Sequence, residues 1–284
     1  MTNVQTVRLK STARSAFGKG RWRPTLAISF VVVLLTAAFF FPLPYSPVDP
    51  GTNPVLAPPS SAHLMGTDKF GLDIFSRVIA SAGLDIPLAL SGLLISMLVG
   101  VPLGLFASQP GRWGEFVVRG LDVFQAFPLL ILAIAVVALM GNNIENVVVA
   151  IAIINVPRFI RLVRSEGLTI RESRYYEAAR AVGAPGHRIM FKHMLPNMTG
   201  TILSQASLAA AHAIVVIAAL SFLGIGINSA DTSWGAMIQT GAQNITTGQW
   251  WASVFPGLAI FVTIICFNTV SHYLQENFGR AKQL

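Results

Sequence analysis

The chain has 284 residues, 53% of them hydrophobic and 11% charged, with a mean hydropathy of +0.62. A soluble enzyme or binding domain carries about a quarter charged residues, so this composition excludes one and points to a membrane domain. The lone Cys266 excludes an intrachain disulfide and argues against redox chemistry, while the net charge of +8 suggests nucleic acid unless the placement of the charges explains it.

In chain order, segment 1–24 is polar and basic, and the first span follows at 25–41. Phe39, Phe40, Phe41 and Pro42 stand where a cleaved leader has small residues, so this span is expected to be retained. An outer loop, 42–85, opens with Pro42, Pro44, Pro47, Pro50, Pro54, Pro58 and Pro59, which deny it a regular helix or a central strand. Within it, Thr67 or Asp68 is expected to cap a short helix leading into span two. Spans two to six are nearly uncharged windows at 86–107, 121–140, 147–163, 202–223 and 251–270, close to the length that crosses ~30 Å of hydrocarbon. They form a five-helix core over 86–274, followed by a tail at 275–284. A tight turn at 141–146 joins spans three and four, and a polar outer loop at 228–249 has Asp231 as its only charge.

The charges sort by side. Arg8, Lys10, Arg14, Lys19, Arg21 and Arg23 precede span one, and Arg112 and Arg119 lie between spans two and three. Arg158, Arg161, Arg164, Arg171, Arg174, Arg180, Arg188 and Lys192 gather at the inner end of span four and beyond, and Arg280 and Lys282 close the chain. Eighteen of the twenty lysines and arginines thus share one side of a six-span arrangement, leaving Lys69 and Arg77 on the other. By the positive-inside rule both termini are cytoplasmic, and the basic balance reflects topology rather than nucleic acid. Trp22 and Trp113 fall at inner boundaries, and Trp234, Trp250 and Trp251 at outer ones, where amphipathic rings favour the headgroup level.

The inner loop, 164–197, is long and charged. Helix formers fill 166–180, then Gly183, Pro185 and Gly186 make a sharp turn. A second short helix, 187–194, is expected to stop at Leu195 and Pro196. This helix–turn–helix suits docking: Ala178 and Ala179 permit close approach, Tyr175 and Tyr176 fill a cleft, and Gly183 sets the bend. The alternative is an interfacial helix resting on anionic lipid.

Inside the spans, Asn155, Gln205, His212 and Asn268 are candidates to line a translocation pathway, with hydrogen bonding between packed helices as the alternative. Gly100 and Gly104 have the spacing for close helix packing, and Pro102 is expected to bend span two. Arg119 and Asp122, three apart, are expected to pair. Asp68 and Asp73 offer too few oxygens for calcium and read as caps or turns. No Gly-x-x-x-x-Gly-Lys loop is present, so ATP must be bound by another subunit.

Glu177-Ala178-Ala179, Gly183 and Leu195-Pro196 resemble the EAA signature of ABC importer permeases. His63-Leu-Met-Gly-Thr-Asp68 with Gly71 and Asp73 resembles the external segment of the dipeptide, oligopeptide and nickel importer permeases. So do Leu121-Asp122 with Ala126-Phe127-Pro128, the run from Pro157 to Arg164, Leu220 to Gly224, Ser233 to Met237, and Phe255 to Ile260. The likeness runs in family order from about residue 60 to 270 and is closest to the C-type permease. It implies an all-α membrane protein with six transmembrane helices of the type I importer kind and a cytoplasmic coupling helix. Such a subunit, in the inner membrane of a prokaryote, forms half the pathway for a peptide-like solute brought by an external binding protein. A B-type permease would supply the other half, and two ATP-binding subunits holding ATP and Mg would engage the Glu177–Gly183 stretch. The chain itself would need no cofactor or metal and catalyse nothing. The resemblance also implies docking of the binding protein near Asp68, Asp73 and Trp234. Leu72 departs from the family's usual Arg, which leaves the substrate class open, and His193 matches the peptide branch.

Two other classes stay open at the level of residues. An ion-coupled secondary transporter keeps ionisable groups near the midplane, and His212 is the candidate here. An intramembrane hydrolase could draw on Ser204, Ser207, Ser221 and His212, without a Gly-x-Ser elbow. Nickel, sugar or another small solute is the alternative cargo.

Overall fold

The computed structural model describes residues 22–226 and 232–280. Arg8, Lys10, Arg14, Lys19 and Arg21 of the basic leading segment, Asn228 and Asp231 of the outer loop, and Lys282 lie outside the described residues.

Helices α1 (Trp22–Phe40), α2 (Ile74–Ala107), α3 (Trp113–Gln125), α4 (Leu129–Met140) and α5 (Ile144–Arg171) lead to the inner loop, with α6 (Arg174–Ala181) and a single turn α7 (Gly186–Arg188). A π-helical turn, Ile189–Met194, then runs into α8 (Leu195–Phe222), followed by α9 (Trp234–Ala242) and α10 (Trp251–Arg280). Among the described residues five helices are long and apolar enough to cross a bilayer, and α3 with α4, bent by 89°, makes six when counted as one broken crossing.

The centre is the pairing of α2 with α5. Small residues recur every fourth position on α2, and a Cβ added to Gly92, Gly100 or Gly104 would sit 2.6–2.7 Å from Ile151, Phe159 or Val163. The two backbones therefore meet along a groove no larger residue fits, which is how helices associate where lipid removes the hydrophobic drive. Helix α8 packs beside them and is stitched to α10 by hydroxyls. Ser204 Oγ donates to Ser271 O at 3.0 Å, Ser271 Oγ to Ser204 O at 2.9 Å, and Ser207 Oγ to Phe267 O at 2.6 Å. Those bonds, with Ser221 Oγ donating to Ile217 O and His212 Nδ1 lying against Leu208 O, leave no serine paired with His212, so the hydrolase constellation is not assembled.

Four expectations are corrected. The external helix is not separate: α2 begins at Ile74, and its cap is Asp73, whose Oδ2 accepts from Ser76 N at 2.8 Å, not Thr67 or Asp68. Ile74, Val78, Ala82 and Ile86 are all buried at helical spacing, so the helix persists through Arg77 and Asp85, where hydropathy fails. Span three is broken at Ala126-Phe127-Pro128, because Pro lacks a donor and drives its predecessor out of helical geometry. The inner helix 166–180 is two pieces, since α5 continues to Arg171 and α6 starts at Arg174. Pro196 does not stop the second inner helix. It follows directly on the π-turn, where the regular hydrogen-bond ladder is already interrupted, and occupies the opening turn of α8.

Candidate functional site: the inner loop and the polar cavity

The inner loop hangs from the bundle by its own apolar residues. Tyr176 is buried in a cluster with Ile170, Ile189, Met190, Met194 and Met198. It was expected to fill a partner's cleft and instead fills one in its own chain, fixing α6 against the π-turn. Arg164 Nε donates to Ala107 O at 3.1 Å and Arg171 Nη1 to Ser108 O at 2.8 Å, so two inner arginines cap the C-terminal carbonyls of α2.

Helix α6 closes in a Schellman turn. Gly183, at φ 76°, donates to Arg180 O at 2.9 Å, and Ala184 N donates to Ala179 O at 3.1 Å. A side chain at Gly183 would meet nothing within 4 Å, so its glycine answers to backbone conformation, not crowding. With Tyr176 turned inward, Tyr175, Glu177 and Ala178 face out and Ala179 is half-buried. A groove of about 590 Å³ flanks one side, lined by Tyr175, Ala178, Gly183, Pro185, Arg188 and His193 among others. A second of about 700 Å³ flanks the other, with Leu168, Arg171, Glu172, Glu177 and Arg180 on its walls. Among the described residues Glu177, Arg174, Arg180, Arg188 and Lys192 form no ion pair within the chain. Leu195 is half-buried and Pro196 exposed where this surface meets α8. The result is a short ridge, rooted by one buried ring, with a basic groove on one side and a groove of mixed charge on the other.

The pathway candidates separate. Gln205 lines a cavity of about 530 Å³ at the α3–α4 break, with Phe124, Gln125, Phe127, Arg158 and Arg161. Asn155 is buried behind it, with Nδ2 donating to Ile151 O at 2.9 Å and Oδ1 accepting from Arg158 Nη1 at 3.3 Å. His212, seven residues beyond Gln205, is exposed on the same face of α8. Asn268 is half-buried on α10 and away from this cavity. Asp122 pairs not with Arg119 but with Arg161, at 2.6 Å. In the sequence Arg158 is one of the inner basic residues and falls in the family-like run from Pro157 to Arg164. Its place at the middle of a 28-residue helix is the signal that sets it apart.

The outer candidates are internal. Asp68, Asp73 and Trp234, expected on a docking face, are 5%, 1% and 0% exposed. Asp68 Oδ2 pairs with Arg77 at 2.5 Å, and Asp73 Oδ1 lies 2.9 Å from His63 Nδ1. Trp234 Nε1 donates to Val78 O and its backbone N to Asp85 Oδ2, each at 2.9 Å, so this ring belongs to the core rather than the headgroup level. Leu72, in place of the family's usual Arg, is buried in the same loop.

Residues 100–283 match the family of binding-protein-dependent transport system inner membrane components. The chain belongs to this family. The permease is 37% identical over 87% of its length to the dipeptide transport system permease DppC of Alkalihalophilus pseudofirmus, covering 81% of that protein. It is 39% identical over 77% of its length to the glutathione transport system permease GsiD of Pectobacterium atrosepticum, covering 72% of it. It is 36% identical over 87% of its length to the di/tripeptide transport system permease DppC of Pseudomonas aeruginosa, covering 84% of it. The chain is thus a C-type permease subunit of an ABC importer, an all-α, multi-pass inner membrane protein of the type I fold, and a secondary transporter is not favoured.

Proposed function

We propose that this permease forms half the translocation pathway of an ATP-driven importer of short peptides and receives the ATPase on the ridge of α6. The observation that carries the reading is the Glu177-Ala178 face, exposed, unpaired and rooted by Tyr176, in a chain of the binding-protein-dependent family. A ridge with a buried root transmits a push into α5 and α8, where a flexible loop would absorb it. In this reading Tyr175, Glu177, Ala178, Ala179 and Gly183 meet a cleft on the ATP-binding subunit. Leu195 and Pro196 pass the motion to α8, and Tyr176 acts through packing. Arg188 and Lys192, in the groove that holds no carboxylate, favour acidic groups on the facing wall of that cleft.

A B-type permease completes the pathway, two ATP-binding subunits supply ATP and Mg, and an external binding protein delivers cargo. The chain itself performs no catalysis. The gathering of basic residues at the α6 end supports a cytoplasmic position for both termini. Relatives named for dipeptides, di/tripeptides and glutathione support a peptide cargo. Gln205 and His212, sharing a face of α8, contribute to the lining, with Asn155 behind Arg158 and Asn268 on α10.

Affinity purification from the native membrane tests the assembly. A second permease and ATP-binding subunits should accompany the chain, and the binding protein should retain a short peptide. Recovery of the chain alone, under conditions that hold other complexes together, overturns the reading.

A further inference from the structure

Arg158 sits at the middle of α5, on the order of 20 Å from either end and about 9 Å deeper than Arg164, which caps the inner end of α2. A guanidinium stays charged at any physiological pH, and a charge held within a spanning segment is costly unless it faces a cavity or meets a partner. It does face a cavity, the one at the α3–α4 break. Among the described residues its hydrogen-bond partner is the amide oxygen of Asn155, at 3.3 Å, and no carboxylate of the chain pairs with it. Its neighbour Arg161, one turn on, is neutralised by Asp122 at 2.6 Å. The cavity thus holds one compensated and one uncompensated cation, with the amides of Gln125 and Gln205 and the rings of Phe124 and Phe127 on its walls.

We propose that this cavity is a binding site for a carboxylate end of the cargo during passage, with Arg158 as its anchor and Gln125 and Gln205 as additional donors. A planar guanidinium matches a carboxylate through two parallel N–H···O bonds. The amides supply neutral donors that add no further charge, and the phenylalanines leave room for varied apolar side chains. The inference rests on the peptide reading above, because each cargo in the relatives' names carries a free carboxylate. It assigns recognition of that shared group to the permease, and the site is formed where α3 and α4 fail to make a straight helix.

The test uses the whole transporter in proteoliposomes, with its binding protein saturated by Ala-Ala or by the C-terminal amide of Ala-Ala. Arg158→Met should slow uptake of Ala-Ala roughly tenfold or more, in line with loss of a hydrogen bond to a charged group, and leave uptake of the amide within about twofold. Arg158→Lys should recover much of the difference, since it restores the charge without the fork. Equal losses for both peptides would assign Arg158 to an ion pair with a partner subunit or a lipid phosphate and overturn the proposal. So would dissociation of the Arg158→Met complex, or no change for either peptide. If the assembled wild-type transporter hydrolyses ATP but imports neither peptide, the peptide reading itself fails, and the assignment of this site falls with it.

Discussion

On the outer side, Asp68, Asp73 and Asp85 are buried, and each is bonded within the chain: to Arg77, to His63, and to Ser233 and the backbone of Trp234. On the inner side, Glu177, Arg174, Arg180, Arg188 and Lys192 form no ion pair among the described residues, and all are exposed. A loop whose buried charges bond to its own chain keeps its shape without help. The 42–85 segment, proline-rich and nearly devoid of helix before Ile74, needs such bonds because it has little regular ladder to hold it. A loop whose charges point outward is shaped for something it does not contain, and its rigidity comes from an apolar root instead. The same residue types therefore do opposite work on the two faces, decided by burial and pairing.

The comparison breaks first at the outer side. Arg77→Met leaves Asp68 buried without its cation, and such a loss costs about 3–5 kcal/mol, enough to abolish assembly or lower the thermal transition of the purified complex sharply. Adding Asp68→Asn to Arg77→Met should recover part of that loss, since it removes the buried charge while an amide oxygen still accepts from Phe70 N and Leu72 N. On the inner side, Tyr176→Ala empties the root of α6 and should cost about 3 kcal/mol in the same unfolding measurement. Gly183→Ala holds a Cβ in left-handed backbone and should cost about 1–2 kcal/mol, while transport-coupled ATP hydrolysis falls further than stability does. Glu177→Ala should leave the thermal transition within about 0.5 kcal/mol of the wild type and still uncouple transport from hydrolysis, because its side chain is exposed and unpaired. If Glu177→Ala lowers stability as much as Arg77→Met, the contrast between the faces is wrong.

Much of the bundle was legible because apolar windows are the strongest signal a membrane chain offers, and every crossing overlaps one of the six windows. The inner ridge was legible from Glu177, Ala178, Ala179 and Gly183, whose roles are local in sequence. The break at Pro128 was missed because a window average registers composition and not backbone donors. Burial of Trp234 was missed because its partners, Val78 and Asp85, lie 156 and 149 residues away. The inward turn of Tyr176 was likewise hidden, since two adjacent tyrosines on a helix point in different directions and only packing says which is the root. Arg158 was hidden among inner arginines until the full length of α5 put it at mid-helix.

The most direct test of the ridge places a photo-crosslinking amino acid at Ala178 in the assembled transporter, with one at exposed Leu64 on the outer loop as the counterpart. Irradiation should join position 178 to an ATP-binding subunit and position 64 to none. Capture of lipid alone at 178, or of the external binding protein, would contradict the assignment of this ridge to the ATPase.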